Sequence, residues 1–435
     1  MLSATQHAAV TSDAARPLQI LAGPGSGKTR VLTSRVAWLV RDSATPIAPE
    51  RCVVVTFTNR AANEMRARLE SMIGADRTRR LVLGTFHAVC VRFLRRWGTR
   101  LGLDPRFTIA DTDDARRLLR DVDRDADAAL SAISRAKAHG WTPDELRASG
   151  THAPGSPGHA EHLALCRTYA AYQQQLRASH ALDFDDLLLL GVRLFREHPE
   201  LTTHIDHVLV DEFQDTNAVQ YELLCRLSPH VSVVGDPDQS IYSWRHADMR
   251  HIERMHLDFP GLHRVLLEEN YRSTPQILDA ALSVMQQDPL RIPKGLYTAL
   301  ASGPPVVVRA CHDADDEALL VARDIRQHAR TTPYAHMSVL LRTTAHSRPF
   351  ESVFHRLNIP YRLLGGVRFF DRAEVRDLLA YLTLADNPAY TPAVLRVLNV
   401  PKRGIGPQSV QMLAAAAQHE QVPLLTHLAH THALR

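Results

Sequence analysis

The sequence has few cysteines, and no two of them are spaced as a ligand pair. Five cysteines occur among 435 residues, and no Cys-x-x-Cys motif is present. This usage argues against a disulfide framework, a zinc ribbon and an iron–sulfur cluster, and it fits a reducing cytoplasm. The 24 histidines supply no recognised metal motif either, because HAEH at 159–162 has the wrong spacing for a metalloprotease helix.

The sequence also lacks a long apolar run and a strong charge of either sign. The N-terminal MLSATQHAAV has no charged segment followed by an apolar core, and no run approaches the length of a transmembrane helix. We therefore expect a cytoplasmic protein without a membrane partner. The net charge of +4 identifies no ligand class. Arginines cluster at 77–80 and 92–100, which fits either a phosphate-facing patch or a solvated helix face.

Short apolar runs alternate with helical patterns in the first part of the chain. The runs are LQILAG, CVVVTFT, LVLGTFH, HVLVDEF, HVSVVGD and RVLLEEN. Continuous Val, Leu and Ile segments of this length are typical of strands in a parallel sheet covered on both faces. Residues 111–198 interrupt the series without any strand-like run. They predict an all-helical insertion in an α/β domain.

A second alternating series follows Asn270. PVVVRAC, SVLLRTT and YRLLGG each precede a helical pattern, which predicts a second α/β domain. In the last of these helices, Val375, Leu378, Leu379 and Leu382 recur at helical spacing and predict one buried stripe. A chain of 435 residues is too long for a single core, which also favours several domains.

A phosphate-binding loop is indicated by LAGPGSGKT at 21–29, which follows a strand-like run and opens a helical pattern. Gly23, Gly25 and Gly27 allow backbone N–H groups to face phosphates at a helix N-terminus, where partial positive charge accumulates. Lys28 would reach the β- and γ-phosphates, and Thr29 would bind magnesium. The loop therefore predicts a nucleotide with Mg²⁺.

An acidic pair ends the apolar run HVLVDEF. Asp211 would hold magnesium through water, and Glu212 would orient or deprotonate the attacking water. A second acid at this position favours hydrolysis over phosphoryl transfer to a substrate. Arg272, just after RVLLEEN, is a candidate for stabilising charge on the γ-phosphate.

Six segments together resemble the ordered motifs of superfamily 1A DNA helicases, the UvrD/Rep/PcrA family. They are TFTNRAANEM, GTFHAV, VDEFQDTNAVQ, GDPDQSIYSWR, LEENYRSTPQI and VPKRGIG. The resemblance runs from residue 2 to the C-terminus. It implies an ATP-driven 3′→5′ translocase on single-stranded DNA, active in repair or replication at the nucleoid, with possible protein partners there.

The resemblance also implies a domain plan of two RecA-like parallel-sheet domains with helical insertions. Domain 1A would comprise residues 1–110 and 199–272, and the insertion 1B would comprise 111–198. Domain 2A would comprise 273–388 in partial form, and residues 389–435 would begin the helical domain 2B. The nesting of 1B inside 1A agrees with the helical interruption noted above.

The family assigns a role to each matching nucleotide-site position. Gln6 and Arg30 would contact adenine, and Tyr271 would stack on it. Gln239 would sense the γ-phosphate, and Arg245 and Arg272 would stabilise it. The catalytic set is then Lys28, Glu212, Gln239 and Arg272, and the full ATP-binding set is Gln6, Gly23, Gly25, Ser26, Gly27, Lys28, Thr29, Arg30, Gln239, Arg245, Tyr271 and Arg272.

The family also implies a set of DNA contacts, with single strands and single/double-strand junctions as partners. Aromatic pockets for successive bases would come from Phe57, Phe184, Tyr242 and Trp244, and backbone contacts from Arg60 and His87. Phe57 and Phe184 could instead be core residues, with Asp183 as the N-cap of a helix that begins at Phe184. GIG at 404–406 fits either a duplex-phosphate contact or a helix-connecting turn.

The chain departs from the family after GIG. Family members continue with the rest of 2B, a histidine-containing motif and a strand–helix motif with a second γ-phosphate arginine, and neither motif is found here. We therefore expect domain 2A to lack strands. The chain would then be a fragment, a natural short form, or one part of a protein whose missing half comes from another chain. The alternative function is a module that binds ATP and single strands without unwinding them.

Overall fold

The computed structural model describes residues 2–120, 122–123, 125–150, 156–241, 246–288, 291–364 and 372–430. The chain divides into two compact units, one of Met1–Pro304 with Ala380–Arg435 and one of Pro305–Leu379. The strands are β1 (Leu18–Ala22), β2 (Cys52–Thr56), β3 (Val82–Thr85), β4 (Thr108–Ile109), β5 (Ala181–Leu182), β6 (His207–Val210), β7 (Val231–Gly235) and β8 (His263–Leu267). The helices are α1 (Ala4–Val10), α2 (Lys28–Ala37), α3 (Asn59–Ile73), α4 (Ala75–Arg80), α5 (Phe86–Trp97), α6 (Thr112–Arg120), α7 (Ala126–Ala138), α8 (Pro143–Ala148), α9 (Pro157–Ala178), α10 (Phe184–Glu197), α11 (Ala218–Leu227), α12 (Arg250–Asp258), α13 (Pro275–Met285), α14 (Ala314–His328), α15 (Ser347–Arg356), α16 (Ala373–Asp386), α17 (Thr391–Val397), α18 (Pro407–His419) and α19 (Leu424–His430).

All the strands predicted in the first series are present, and they form one parallel sheet. Its order is β3-β2-β6-β7-β1-β8. Every residue of β1, β2, β6 and β7 is buried, as the continuous apolar runs indicate. Successive side chains point to opposite faces, so Val53 and Val55 pack with α5 and α10, whereas Cys52 and Val54 pack with α2 and α3. The predicted α/β class is confirmed.

The interruption between β3 and β6 is mostly helical, as predicted. Helices α6, α7 and α9 bury a cluster that includes Tyr169 and Tyr172, both fully inaccessible. The prediction of an all-helical insertion is wrong at one point, because β5 pairs in parallel with β4. A strand of two residues is too short to give a periodic pattern. Asp183 caps α10 as expected, with its Oδ1 accepting from the N–H of Asp186 at 2.8 Å.

Residues 380–430 add helices to the same unit as the sheet. Tyr390 and Val397 join the apolar cluster of α6, α7 and α9. The hydroxyl of Tyr390 donates to Asp114 Oδ2 at 2.7 Å, and Asn387 Nδ2 donates to Thr108 Oγ1 at 2.8 Å. Helices α17 and α19 bury a further small cluster that includes Val394 and Leu428.

The second unit, Pro305–Leu379, is built on the pair α14 and α15. Ala318 and Ala322 pack there against Phe350 and Phe354. The strands predicted in PVVVRAC, SVLLRTT and YRLLGG are not found among described residues 305–364. Strands form only where a neighbour accepts and donates their ladder hydrogen bonds. No described segment of this unit pairs with these runs.

The predicted stripe on α16 is likewise not buried. Leu378 and Leu382 are each 66% exposed, and Leu379 is 42% exposed. The helical spacing was correct, because α16 spans Ala373–Asp386. Periodicity thus identified the helix but not a surface for it to pack against. Of all the described helices in both units, none is long and apolar enough to cross a membrane.

Candidate functional site

The predicted nucleotide residues gather at one edge of the six-stranded sheet. In a parallel sheet the loops that follow the strands emerge at the same edge. The loops after β1, β6, β7 and β8 carry Lys28, Asp211, Gln239 and Arg272 respectively. A cavity of about 540 Å³ lies instead at the opposite edge of the sheet. Its lining includes residues that precede strands β1, β6, β7 and β8, namely Pro17, Asp206, His230 and Pro260. None of the predicted site residues lines it.

The phosphate-binding loop has the backbone that its glycines permit. Gly25 and Gly27 have φ values of +67° and +85°, a region that residues with a Cβ rarely adopt. Gly27 immediately precedes α2, which begins at Lys28. Ser26 Oγ donates to the carbonyl of Gly23 at 2.7 Å and closes the loop. The N-terminus of α2 is therefore open to an anion.

Lys28 lies between this loop and the acidic pair. Its Nζ is 3.3 Å from Glu212 Oε2, and its side chain is only 10% exposed. The Nζ atom is buried and makes no hydrogen bond to any described residue. An ammonium group has three donors that need acceptors when buried. Phosphate oxygens at the helix N-terminus would supply them.

The acidic pair follows β6 directly. Burial, with a smaller contribution from neighbouring Glu212, raises the pKa of Asp211 to about 7. Glu212 has a left-handed backbone with φ of +49°, which is strained for a residue with a side chain. Its Oε2 accepts from Gln214 Nε2 at 2.9 Å. A divalent cation would favour the ionised form of Asp211.

The residues present fit a magnesium ion that arrives with a nucleotide. Thr29 is half-buried at the second position of α2, and Asp211 is the buried carboxylate of the pair. Within the described ranges, no group of three His, Cys, Asp or Glu side chains could hold a metal by itself. Mg²⁺ is commonly held by one or two protein oxygens together with substrate phosphates and waters. This donor set matches that arrangement.

The predicted adenine contacts lie on the other side of the phosphate loop. Gln6 is buried, and its Nε2 donates to the carbonyl of Ser26 at 2.8 Å. Tyr271 is 44% exposed, and its N–H donates to the carbonyl of Gly25 at 3.0 Å. A small cavity of about 60 Å³ is lined by both residues. Arg30 is exposed on α2.

Two γ-phosphate candidates are held differently. Gln239 is half-buried, and its Nε2 donates to Asp236 Oδ2 at 2.5 Å. Arg272 is exposed, and its backbone N–H donates to Asn270 Oδ1 at 2.8 Å. The third candidate, Arg245, lies outside the described residues.

The predicted DNA contacts are described only in part. Phe184 is 48% exposed at the start of α10, and its ring lies edge-on to His87 with centroids 5.9 Å apart. The core alternative for Phe184 is therefore wrong. Phe57 is half-buried after β2, so both alternatives stay open there, and Arg60 is exposed on α3. Tyr242 and Trp244 lie outside the described residues.

Comparison with known proteins decides the family. Residues 2–260 match the family model of the UvrD/REP helicase N-terminal domain, and residues 265–433 match that of the UvrD-like helicase C-terminal domain. The chain belongs to the UvrD/Rep helicase family. It is 39% identical over 430 residues to a protein of Staphylococcus epidermidis named ATP-dependent DNA helicase PcrA. That alignment covers 95% of this chain and 58% of the relative.

A second relative gives the same relation. The ATP-dependent DNA helicase PcrA of Staphylococcus aureus is 39% identical over 425 residues, which are 94% of this chain and 57% of the relative. The chain thus spans less than two-thirds of the length of these UvrD/Rep family relatives.

Some residues at the edge of this UvrD/Rep-type sheet were not among the site residues predicted from the sequence. Asp215 is one, since burial raises its pKa to about 7, with Glu212 as the second cause. Asn270 is another, because its Nδ2 donates to the carbonyl of Pro24 in the phosphate loop at 2.6 Å. Lys294 is the third, and it forms a fully buried ion pair with Asp236. Asp215 and Asn270 lie in the quoted segments VDEFQDTNAVQ and LEENYRSTPQI, which could have pointed to them, whereas no quoted motif contains Lys294.

Proposed function

We propose that this chain is an ATP-dependent DNA helicase component that translocates 3′→5′ on single-stranded DNA. The observation that carries the proposal is the position of Lys28, whose buried and unsatisfied Nζ lies at a helix N-terminus 3.3 Å from Glu212. The names of the staphylococcal relatives support the reaction class. A DNA substrate implies a location at the nucleoid, and protein partners in repair or replication are part of the proposal.

The proposed chemistry is hydrolysis of the γ-phosphate. Mg²⁺, held by Thr29 and Asp211, would neutralise charge on the β- and γ-oxygens. Lys28 would bind those oxygens, and Glu212 would accept a hydrogen bond from the attacking water and orient it. Gln214 holds the Glu212 carboxylate at 2.9 Å, so this base does not have to be ordered during the reaction. Arg272, Arg245 and Gln239 would contact the γ-phosphate.

The proposed nucleotide specificity rests on the small cavity beside the phosphate loop. Gln6 would read the adenine edge with Arg30, and the exposed ring of Tyr271 would stack on the base. The Gln6 side chain is fixed at both ends, because its Oε1 accepts from the N–H of Ser3 at 3.1 Å while its Nε2 donates to Ser26. A polar group held in this way discriminates between bases at little entropic cost.

The proposed DNA path crosses the side of the sheet where α5 and α10 begin. The exposed ring of Phe184 beside His87 offers a stacking face for an unpaired base, and Arg60 offers a phosphate contact. Phe57, Tyr242 and Trp244 would extend the row of base contacts. Single strands and single/double-strand junctions are the proposed substrates because stacking needs unpaired bases.

The proposed domain plan follows the family: 1A at 1–110 and 199–272, 1B at 111–198, 2A at 273–388 and 2B from 389. The sheet and its first helical insertion support the first two assignments. A single-strand-binding module without turnover is the alternative outcome of the experiments below.

Two substitutions test the nucleotide site. Lys28→Ala should weaken ATP binding and abolish hydrolysis, because the charge facing the β- and γ-phosphates is lost. Glu212→Gln should retain ATP binding but not hydrolysis, because an amide cannot accept the proton of the attacking water. Nucleotide titrations and single-strand-stimulated phosphate release measure the two effects.

Glu222→Gln is the matched control. Among the described residues, Glu222 pairs with the surface arginines Arg196 and Arg226, so its loss should leave both readouts at the parent level. Unaltered ATP affinity in Lys28→Ala would contradict the assignment of the phosphate loop. Binding of ATP and DNA by the parent without any hydrolysis would favour the non-unwinding module.

The DNA path is tested at Phe184. Phe184→Ala should weaken binding of an oligothymidine by about 1–3 kcal/mol, the contribution of one stacked base, while DNA-free ATP affinity stays at the parent level. Fluorescence anisotropy of a labelled oligonucleotide at fixed salt measures the change. Phe184→Tyr, which keeps a stacking face, is the control. Equal affinity of the parent and the alanine variant would remove Phe184 from the path.

A further inference from the structure

A short segment after α13, residues 291–297, contacts three of the loops that form the nucleotide edge. The Gly295 N–H donates to Glu268 Oε1 at 2.7 Å, and the Tyr297 carbonyl accepts from the Asn270 N–H at 2.7 Å, which joins the segment to the loop after β8. Leu296 covers Gly23 so closely that a Cβ on Gly23 would lie 2.2 Å from Leu296 Cδ2. The segment therefore also touches the phosphate loop.

Two basic side chains of the same segment, Arg291 and Lys294, form ion pairs with the loop after β7. Arg291 pairs with Asp238 at 3.0 Å, and Lys294 lies 3.2 Å from the same carboxylate. Lys294 also pairs with Asp236, and neither of these two side chains has any exposed surface. Two carboxylates and two cations thus form a nearly dry cluster in which the charges balance. A buried ion pair of this kind is costly to assemble and strongly destabilised when one partner is removed.

Asp236 is the branch point of this cluster. One of its carboxylate oxygens faces Lys294, and the other accepts from Gln239 Nε2 at 2.5 Å. Its backbone N–H donates to Gln214 Oε1 at 2.9 Å, and Gln214 Nε2 in turn donates to Glu212 Oε2 at 2.9 Å. The carboxylate of Asp236 therefore links Lys294 to the proposed γ-phosphate sensor, and its backbone links Lys294 to the proposed base.

We propose that Lys294 is a positioning residue that fixes Gln239, through Asp236, in the orientation that reads the γ-phosphate. This inference rests on the proposed function, because the nucleotide role of Gln239 is part of that proposal. Lys294 itself touches no nucleotide in this scheme. Its role is to hold the Asp236 carboxylate in one rotamer, so that the Gln239 amide has a fixed acceptor.

Removing the ammonium group should free Gln239. In Lys294→Met, the Asp236 carboxylate would remain buried beside Asp238 without its ion-pair partner, and the side chain would turn away from its present position. Its second oxygen would then no longer hold the Gln239 amide in place. Misplacement of a catalytic group by about 1 Å can lower a rate by about 100-fold, whereas groups that bind the rest of the nucleotide are not moved.

The experiment compares Lys294→Met with Lys294→Arg in the full chain. For Lys294→Met we expect kcat for single-strand-stimulated ATP hydrolysis to fall by up to about 100-fold with little change in KM. We also expect the affinity for labelled oligothymidine to stop responding to a non-hydrolysable ATP analogue. Lys294→Arg, which keeps the charge, should recover most of both properties.

Lys137→Met is the matched control. Lys137 is also fully buried and also pairs with two aspartates, Asp183 and Asp186, but it lies in the helical insertion. Its replacement should cost comparable stability. Because Asp183 caps the helix that begins at Phe184, DNA affinity should fall equally with and without the ATP analogue, so that the ratio of the two affinities stays at the parent value. If DNA affinity stopped responding to the ATP analogue in both methionine variants, the proposal would be overturned, because the effect would then reflect general destabilisation.

Three other results are decisive. Lys294→Met with parental kcat and a parental DNA response would refute the positioning role. If that variant does not fold, as judged by circular dichroism, Asp236→Asn replaces it and should lose the DNA response, and retention of the response would refute the role. A parent chain that binds no ATP would instead refute the proposed function, and this is measured first.

Discussion

Two short valine-rich segments of this molecule, both predicted to be strands, differ in whether they form one. HVLV at 207–210 is a completely buried strand in the middle of the parallel sheet. VVV at 306–308 belongs to no strand, and its last valine is 93% exposed. The first run has β2 and β7 as neighbours, whereas no described segment pairs with the second. Apolar β-branched residues favour a strand, but a strand forms only where a neighbouring strand provides its hydrogen-bond partners.

The largest difference is expected from a buried charge. Val208 is fully buried, so Val208→Asp places an unpaired carboxylate in the sheet and should cost more than about 4 kcal/mol of unfolding free energy. Val308→Asp should stay within about 0.5 kcal/mol because the site is in water. Urea unfolding followed by circular dichroism compares them. Similar losses in both variants would break the comparison and put Val308 in a buried strand.

A smaller but cleaner contrast comes from cavity formation. Leu209→Ala removes a fully buried side chain and should cost about 2–5 kcal/mol. Leu340, in the second strand-like run of the Pro305–Leu379 unit, is 94% exposed, and its replacement by alanine should cost less than about 0.5 kcal/mol. Urea midpoints at one protein concentration measure both. A cost above 2 kcal/mol at Leu340 would be inconsistent with its exposure.

The smallest expected effect is a pH dependence of the unfolding free energy that arises from His207 in the buried strand. Burial, followed by the charges of Arg35 and His230, holds the pKa of His207 well below its ordinary value of 6.5. Below pH 6.5 the folded state therefore binds fewer protons than the unfolded state. The unfolding free energy is highest above that pH and falls as the pH drops below it. The limiting slope is about 1.4 kcal/mol per pH unit.

His207→Gln should remove this part of the slope between pH 6.5 and 5, because the amide does not titrate but can still form a hydrogen bond with Ser232, whose Oγ lies 2.8 Å from His207 Nε2. Urea unfolding at three pH values gives the slope. His336, in the Pro305–Leu379 unit, is the control, since its side chain is exposed. Identical slopes for parent and His207→Gln would mean that His207 is accessible to protons.

The same contrast explains how far the sequence predicts this molecule. Strands β1, β2 and β6 were predictable because fully buried positions leave continuous Val, Leu and Ile runs. The phosphate loop and the Asp211–Glu212 pair were predictable because special backbone geometry and metal chemistry restrict residue type. The cap at Asp183 follows from local hydrogen bonding alone.

Other features depend on contacts that no local pattern encodes. Leu378 and Leu382 have the spacing of a buried stripe, but spacing does not say whether a surface exists to cover it. The pair of β4 and β5 is too short to be periodic. The ion pair of Lys294 with Asp236 joins residues 58 positions apart, and neither residue type is unusual in its own segment.

The sheet order has a consequence for biosynthesis. Strand β1 leaves the ribosome before every other strand, but its two neighbours are β7 and β8, and β7 begins about 210 residues after β1 ends. At about 5–20 residues per second, the apolar segment LQILA would wait roughly 10–40 s for a partner. The phosphate loop, which depends on β1 for its position, would therefore be among the last parts of the sheet edge to form. A nascent chain with this sheet order exposes the apolar strand LQILA while about 210 further residues are synthesised, which makes that strand a candidate binding site for a chaperone.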